Sequence, residues 1–568
     1  MHLWDALTRE QHGGGTLHCW AGERFEAAAW AEVVADARRV AAGLRRLGVG
    51  PGSRVASVLS NSPEAVRGVL GVWLAGGTLA SLPVPARGMS AEDYREQLRT
   101  LVAHLEPSVF AIDAGLRPLV PDPFDAVRVV AWQSLADASP LDPDPPDLDD
   151  VAFVQYSSGS TDTPKGCMLT ARAIAAQLET IRAMLDGVPG EETVCSWLPL
   201  SHDMGLFGIL LYAWAWDYDL VLSSPQRFTA APRTWFEDMA RCGCTQSAGT
   251  SLALHFATRA QRAARLPSRL RLRSLVIGAE RIEPRVLDDA LAAFGPSGLV
   301  PHALRPAYGL AEATLAVTAT PADAPPRVRA VDSTALADGE LREAHADDPG
   351  ATSLVSLGPP CDGVALRFPQ ADGVSELHIR TPSMFSGYYA EPTRTRERLS
   401  NGELATRDLG FLHDGELYLV GRTDDMLSVG GRNVCTSEIE AAVGAIEGVR
   451  HGCCTIVDLP GGDVPRLALL VELRDGHGDF DAIAAAAMRT ATAKAGVRLS
   501  ECVFLEKGTL PKTPTGKIQR FRCRDLLLRD ELPILAAWRA PGAGRGVPPR
   551  APARRPGLAD ARPATRSA

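Results

Sequence analysis

The chain has 568 residues, of which 45% are hydrophobic and 22% charged, so it is ordinary globular material too long for one domain, and two or three are expected. A formal net charge of −9 argues against a chain devoted to nucleic acid. The eleven cysteines include no C-x2-C knuckle, Cys242/Cys244 and Cys453/Cys454 being too tightly spaced, and an odd count without a signal-peptide pattern implies a reducing, cytoplasmic setting.

Trp30–Leu47 carries Val33, Val34, Val40, Leu44 and Leu47 at helical spacing, with Gly48 placed to stop it. Arg54–Leu59 then reads as a strand and Glu64–Ala75 as the next helix. The long uncharged run Gly68–Ala86 is broken by Gly76, Gly77, Pro83 and Pro85. It reads as a buried helix followed by a strand, and no membrane span is expected. Pro140–Asp150 is Pro/Asp-rich and reads as a linker closing a first lobe. Val151–Tyr156 is a buried strand, and Ala171–Leu185 is an amphipathic helix with Ile174, Leu178, Ile181 and Leu185 on one face.

Further on, Ala319–Leu354 is polar with weak periodicity and reads as an irregular excursion, while the Gly- and Asp-rich Arg422–Asn433 reads as a hinge. Gly452–Val457 and Arg466–Leu473 read as strands and Asp481–Ala495 as a helix, forming a small α+β domain. The Pro/Ala/Arg/Gly tail from Gly542 lacks a core-forming pattern and reads as disordered. Alternating strands and helices imply an α/β fold: a large N-terminal domain of helix-covered sheets over 1–424, a small α+β domain over 425–540, and a tail over 541–568.

The first candidate for chemistry follows the strand Val151–Tyr156. Ser157, Ser158, Gly159, Ser160, Thr161, Thr163 and Lys165 crowd hydroxyls, flexible backbone and one ammonium into a single loop. Exposed N–H groups, hydroxyls and a positive charge suit a polyanion, although a solvated turn between two strands has the same composition. The loop is no Walker P-loop, because Pro164 precedes the lysine and Gly166 follows it.

Later segments add weight: LPLSHDMGL with His202 and Asp203, IGAERIEP with Gly278, Ala279 and Glu280, and PAYGLAEATL with Ala307, Tyr308, Gly309 and Glu312. TRDLG holds Asp408, GRTDDMLSVGGRN holds Arg422 and Asp425, and LPKTPTGKIQR holds Lys517. Singly these have bland readings: a helix-terminal carboxylate for Glu312, a core ring for Tyr308, a turn residue for Asp408, a surface ion pair for Arg422 and a satisfied core imidazole for His202. In this order and spacing the set resembles the adenylate-forming superfamily of acyl-CoA synthetases, luciferases and peptide-synthetase adenylation domains. Its wording is most similar to the fatty acyl-AMP ligases. Members of that subfamily carry an insertion that disfavours the thioester-forming rotation with coenzyme A, and the stretch at about 328–357 is similar to it in style.

The resemblance implies an ATP- and Mg²⁺-dependent enzyme that joins a carboxylic, fatty acid to AMP and passes the acyl group to the phosphopantetheine arm of an acyl carrier protein. It implies that Ser157–Lys165 cradles the outer phosphates, that Glu312 binds the metal, and that Tyr308 stacks on adenine beside Gly278–Glu280 and the Ala307–Gly309 backbone. Asp408 and Arg422 would hold the ribose, His202 would stand at the acyl carboxylate, and Lys517 would neutralise charge at the α-phosphate. Asp425 would be the hinge, although its neighbour Asp424 replaces the lysine usual there. The acyl pocket would be lined from Leu206–Trp216 and Ser247–Phe256. Departures there, Thr250–Leu254, Trp214, Trp216 and Tyr218, tell against a long straight-chain tunnel and leave room for a shorter, branched or aromatic acid, with chain length left open. An acyl-CoA synthetase and a stand-alone amino-acid or aryl-acid adenylation enzyme are the alternative readings.

Overall fold

The computed structural model describes the chain apart from residues 10–13, 86–88, 122–123, 125–126, 137–138, 141, 157–164, 189, 262–265, 338, 349, 371–372, 424–425, 430–431, 460–465, 475–477, 496, 513–517 and 540–568. Ser157, Ser158, Gly159, Ser160, Thr161, Asp425, Lys517 and the C-terminal tail therefore lie outside the described residues.

Two mixed, largely parallel sheets form the body of the protein. One orders its strands Gly387–Tyr388, Gly166–Thr170, Val151–Tyr156, Thr78–Ser81, Arg54–Ser57, Val109–Ile112 and Arg128–Ala131. The other runs Ala316–Ala319, Leu304–Gly309, Ser274–Ile277, Gln246–Gly249, Thr193–Ser196, Asp219–Leu222, Thr16–Trp20 and Phe25–Ala29. Parallel strands need crossovers that cover both faces, which explains why their sequences are apolar throughout rather than alternating. The class of fold is thus the α/β, helix-covered architecture expected.

The helices are locally encoded. Ser62 caps Pro63–Leu74 by accepting the Ala65 N–H at 3.0 Å, with Pro63 in the first turn where no donor is lost. Thr170 does the same for Ala171–Leu185, accepting from Ala173 at 3.1 Å. That helix buries Ile174, Leu178, Ile181 and Leu185 as expected and ends at Asp186, whose φ of 49° lies in the left-handed region. Among the described residues no helix is long and apolar enough to cross a membrane.

Two expectations need correction. The Pro/Asp stretch separates nothing: Asp144 pairs with Arg45 at 2.6 Å, Trp4 donates to the Pro146 carbonyl at 2.8 Å, and Val151–Tyr156 joins the same sheet as the strands before it. The supposed irregular excursion contains an antiparallel ribbon, Val328–Asp332 with Ala351–Val355. Its Val331 and Leu354 pack on Phe411, Tyr418 and Val420, so partners distant in sequence supply the order its weak periodicity hid. Within the stretch read as a hinge, Met426–Val429 pairs with Arg432–Cys435 as a short antiparallel ribbon.

A third, antiparallel sheet joins Ala365–Arg367, Ser375–Arg380, Leu399–Ser400, Glu403–His413 and Glu416–Arg422. After it, Val449–Leu459, Arg466–Leu473, Glu501–Leu505 and Ile534–Arg539 build a separate sheet with its own apolar core around Ile456, Leu469 and Phe504. This unit touches the body through Arg522–Asp93 at 3.2 Å, His451–Glu283 at 3.7 Å and the tilted rings of His255 and His451, with centroids 4.5 Å apart.

Candidate active site

A cavity of about 270 Å³ opens at the carboxyl ends of strands from both large sheets, the place where open α/β sheets receive ligands. The segments after Thr78–Ser81 and Thr193–Ser196 bring Pro83, Val84, Pro199, Ser201, His202 and Asp203 to it. The ends of Val151–Tyr156, Ser274–Ile277 and Leu304–Gly309 bring Gln155, Tyr156, Gly278, Ala279, Ala307, Tyr308 and Gly309. Lys165, Glu312, Asp408 and Arg422 complete the polar rim. Ile518 and Gln519, the two residues after Lys517, line it from the C-terminal unit.

At one end, Tyr308 donates its phenolic hydrogen to Asp408, whose other oxygen faces Arg422 Nε at 3.3 Å. Burial raises the Tyr308 phenol, and the adjacent Asp408 charge raises it further, so the phenol keeps its proton and remains a donor. Glu312 lies on a short turn after the strand Leu304–Gly309, and Tyr388 donates to its Oε1 at 2.7 Å. Burial pushes the Tyr388 phenol upward, with the Glu312 charge adding to it. Lys165 is held below its ordinary pKa chiefly by burial and then by Arg394, while Glu312 opposes them.

The backbone around these groups is strained. Ala279 (φ 66°), Thr314 (φ 65°) and Arg407 (φ 64°) are non-glycine residues in the left-handed region, and they line the cavity or flank Glu312 and Asp408. Register shifts interrupt the strand pairings at Tyr308/Gly309 and Leu409/Gly410. Such strain persists only where the surroundings enforce it, and with bulges it concentrates at functional sites.

His202 and Asp203 form an ion pair at 2.7 Å, and the Asp203 carboxylate also accepts the Met204 N–H at 2.7 Å. Burial by itself depresses the imidazole, but the charge and hydrogen bond of Asp203 outweigh it and leave His202 above its ordinary value. Asp203 moves the other way: burial raises it, and the pairing with His202 and the Met204 N–H bring it below the usual carboxylate range.

Beyond His202 the cavity becomes apolar. The wide, π-type helical turn Leu206–Leu211 and the residue after it present Gly208, Ile209 and Tyr212. Ser247 and Ala248 face them, as the sequence reading placed the pocket, and Ile181, Met184 and Leu185 of the helix Ala171–Leu185 add a wall that the reading did not anticipate.

Ten of the sequence candidates, His202, Lys165, Gly278, Ala279, Ala307, Tyr308, Gly309, Glu312, Asp408 and Arg422, line this one cavity. Glu280 does not: its carboxylate turns away to accept the Leu252 N–H at 2.5 Å, at the start of the helix Ser251–Gln261. Tyr388 was missed. Its only sequence signal is a pair of tyrosines after Gly387, and the edge pairing of Gly387–Tyr388 with Cys167 and Met168 is what aims it at Glu312.

This cleft has the layout of a nucleotide site joined to an apolar arm, and comparison with known proteins agrees. The model of AMP-binding enzymes matches residues 10–389. The chain belongs to that family, the adenylate-forming enzymes. A putative ligase of Mycobacterium tuberculosis is 31% identical, the match covering 86% of this chain and 93% of that one. A long-chain-fatty-acid–AMP ligase of Mycolicibacterium smegmatis is 28% identical, covering 89% of each. Among solved structures, a fatty acyl-adenylate ligase from a study of the Escherichia coli and Legionella pneumophila enzymes superposes with a TM-score of 0.83 at 24% identity, covering 93% of this chain and 98% of that one.

Proposed function

We propose that this protein is an acid–AMP ligase that activates a carboxylic acid of fatty type with ATP, releases pyrophosphate, and passes the acyl group to the phosphopantetheine thiol of an acyl carrier protein. The observation that carries this reading is the junction at His202: a rim bearing Tyr308, Asp408, Arg422 and Glu312 on one side, and an apolar arm on the other, within one cavity.

The reaction brings two anions together, a carboxylate and the innermost phosphate, so each needs opposing charge or donors. Asp408, fixed between Tyr308 and Arg422, offers carboxylate lone pairs to a ribose diol. The cationic form of His202, stabilised by Asp203, faces the mouth of the apolar arm and holds an incoming carboxylate there. Lys165 and Arg422 place positive charge at the rim, and Lys517 would neutralise the negative charge that builds on the α-phosphate during attack. Glu312 suits a magnesium ion: it is a hard oxygen donor oriented by Tyr388, and magnesium takes one or two carboxylates together with substrate phosphates. When bound, that ion would draw charge from the leaving pyrophosphate.

Hydroxamate trapping across acids of varied length tests the proposal. Acid-dependent acyl-hydroxamate with ATP is expected, and its loss in Lys517→Ala supports the role given to that lysine. Absence of trapped product with every acid overturns the reading. Thioester formation with free coenzyme A would move it to an acyl-CoA synthetase.

A further inference from the structure

The closed end of the apolar arm is not apolar. Gln246, on the strand Gln246–Gly249, and Tyr212 both line the cavity there. Both are almost wholly buried, Gln246 2% exposed and Tyr212 0%. Among the described residues the Gln246 amide and the Tyr212 and Tyr218 hydroxyls make no well-formed hydrogen bond, and they approach one another only closely enough for weak, poorly aligned polar contact. The two tyrosine rings lie edge to face with centroids 5.3 Å apart. Gly187 closes over their hydroxyls: a Cβ there would stand 2.5 Å from the Tyr212 oxygen and 2.7 Å from that of Tyr218.

A buried amide with both atoms unsatisfied is costly, and native proteins rarely keep one without a reason. Ligand pockets supply such a reason, since they combine apolar walls with a few polar groups that read one feature of the ligand. The arm's walls here are Ile181, Met184, Leu185, Val194 and Ile209. An alkyl terminus reaching this floor would seal the unpaired groups away from water. An oxygen function would satisfy them, because an amide and a phenol together offer both donors and acceptors.

We infer that the acyl group accepted by this cavity carries a neutral oxygen function, a hydroxyl or a carbonyl, at its distal end, read by Gln246 and Tyr212. A second carboxylate fits poorly. Of the two cations near Tyr218, Arg273 is paired with the buried Glu192, and Arg182 lies over the Trp216 ring at 4.6 Å. Glu192 itself is engaged by Thr245 at 2.5 Å and by the Val188 N–H at 3.1 Å. The inference rests on reading the cavity as an acyl-adenylate site.

The test is pyrophosphate exchange by the full chain with acids matched in length from hexanoic to dodecanoic, each unsubstituted or bearing a terminal hydroxyl or a keto group near that end. At one length or more the oxygenated acid should have a kcat/KM at least about tenfold above its unsubstituted counterpart, the scale set by leaving buried polar groups unpaired. Gln246→Leu and Tyr212→Phe should each erase or reverse that preference, read as the ratio of kcat/KM for the oxygenated acid to that for its unsubstituted counterpart. If the wild type takes unsubstituted acids equally well or better, the inference is overturned and adenylation stands. A preference that survives in both variants removes these two residues from the role and overturns it as well. Failure of every acid to support exchange overturns the adenylating function itself, and the inference falls with it.

Discussion

Tyr388→Phe isolates one hydrogen bond at the rim. The phenol is 2% exposed and donates to Glu312 Oε1 at 2.7 Å, and burial keeps it protonated throughout the working range. Phenylalanine keeps the ring and its edge-on packing against Phe385, with centroids 4.9 Å apart, so only the donor is lost. A hydrogen bond to a charged acceptor is worth about 1.5–3 kcal/mol, and Glu312 borders an open cavity where water partly replaces the lost donor, which favours the lower half of that range. If a well-aimed Glu312 is needed in the transition state, the variant should lose roughly tenfold or somewhat more in kcat/KM for adenylate formation. Half-saturation with magnesium should rise in parallel. The assay is coupled pyrophosphate release over a magnesium titration. Tyr389→Phe is the control, because that hydroxyl donates to the Leu105 carbonyl at 3.1 Å and not to Glu312. Unchanged rate and unchanged magnesium dependence in Tyr388→Phe would refute the reasoning.

Other outcomes follow from the same geometry. In Gly309→Ala the new Cβ would press into the backbone carbonyl of Leu315 and pry apart the turn that carries Glu312, so adenylation should fall by an order of magnitude or more, with lowered thermal stability as the companion readout. NMR titration of the His202 imidazole should give a midpoint above the ordinary 6.5, because Asp203 outweighs burial. A raised folded-state value means that the pair's contribution to stability is complete below 6.5 and is lost as pH climbs through the raised midpoint, and a midpoint at or below 6.5 contradicts the ion pair. The exposed Cys242 thiol, brought to about 7 by a hydrogen bond from Cys244, should be alkylated first at neutral pH, as peptide mapping after brief iodoacetamide treatment would show. Equal labelling at Cys361, whose thiol burial pushes up to about 12, would count against it.

Much of the fold was legible because its local signals agree with one another. The helix Ala171–Leu185 has a threonine cap, a regular apolar face and a left-handed stop, and its bounds could be read outright. The strands Val151–Tyr156 and Arg466–Leu473 were equally plain as apolar runs between polar breaks. Segments ordered by distant partners were not legible. The ribbon Val328–Asp332 with Ala351–Val355 looks irregular in sequence because its cover comes from Phe411, Tyr418 and Val420.

The site divides in the same way. Tyr308, Glu312 and Asp408 stood out through the wording of their motifs, whereas Tyr388 and Gln246 sit in stretches with no motif and gain meaning only from what they face. Glu280 shows the converse limit. Its motif offered its backbone, with that of Gly278 and Ala279, to the base and gave no direction to its side chain, which accepts the Leu252 N–H of a neighbouring helix.

The most direct test of one cleft joining nucleotide and acid is a crystal structure with a non-hydrolysable acyl-sulfamoyl adenosine. The account predicts the ribose on Asp408, the adenine against Tyr308, the sulfamoyl linkage beside His202, and the acyl chain running past Ile209 toward Gln246. An analogue bound elsewhere, or one whose acyl chain leaves the cavity without passing Ile209, would contradict it.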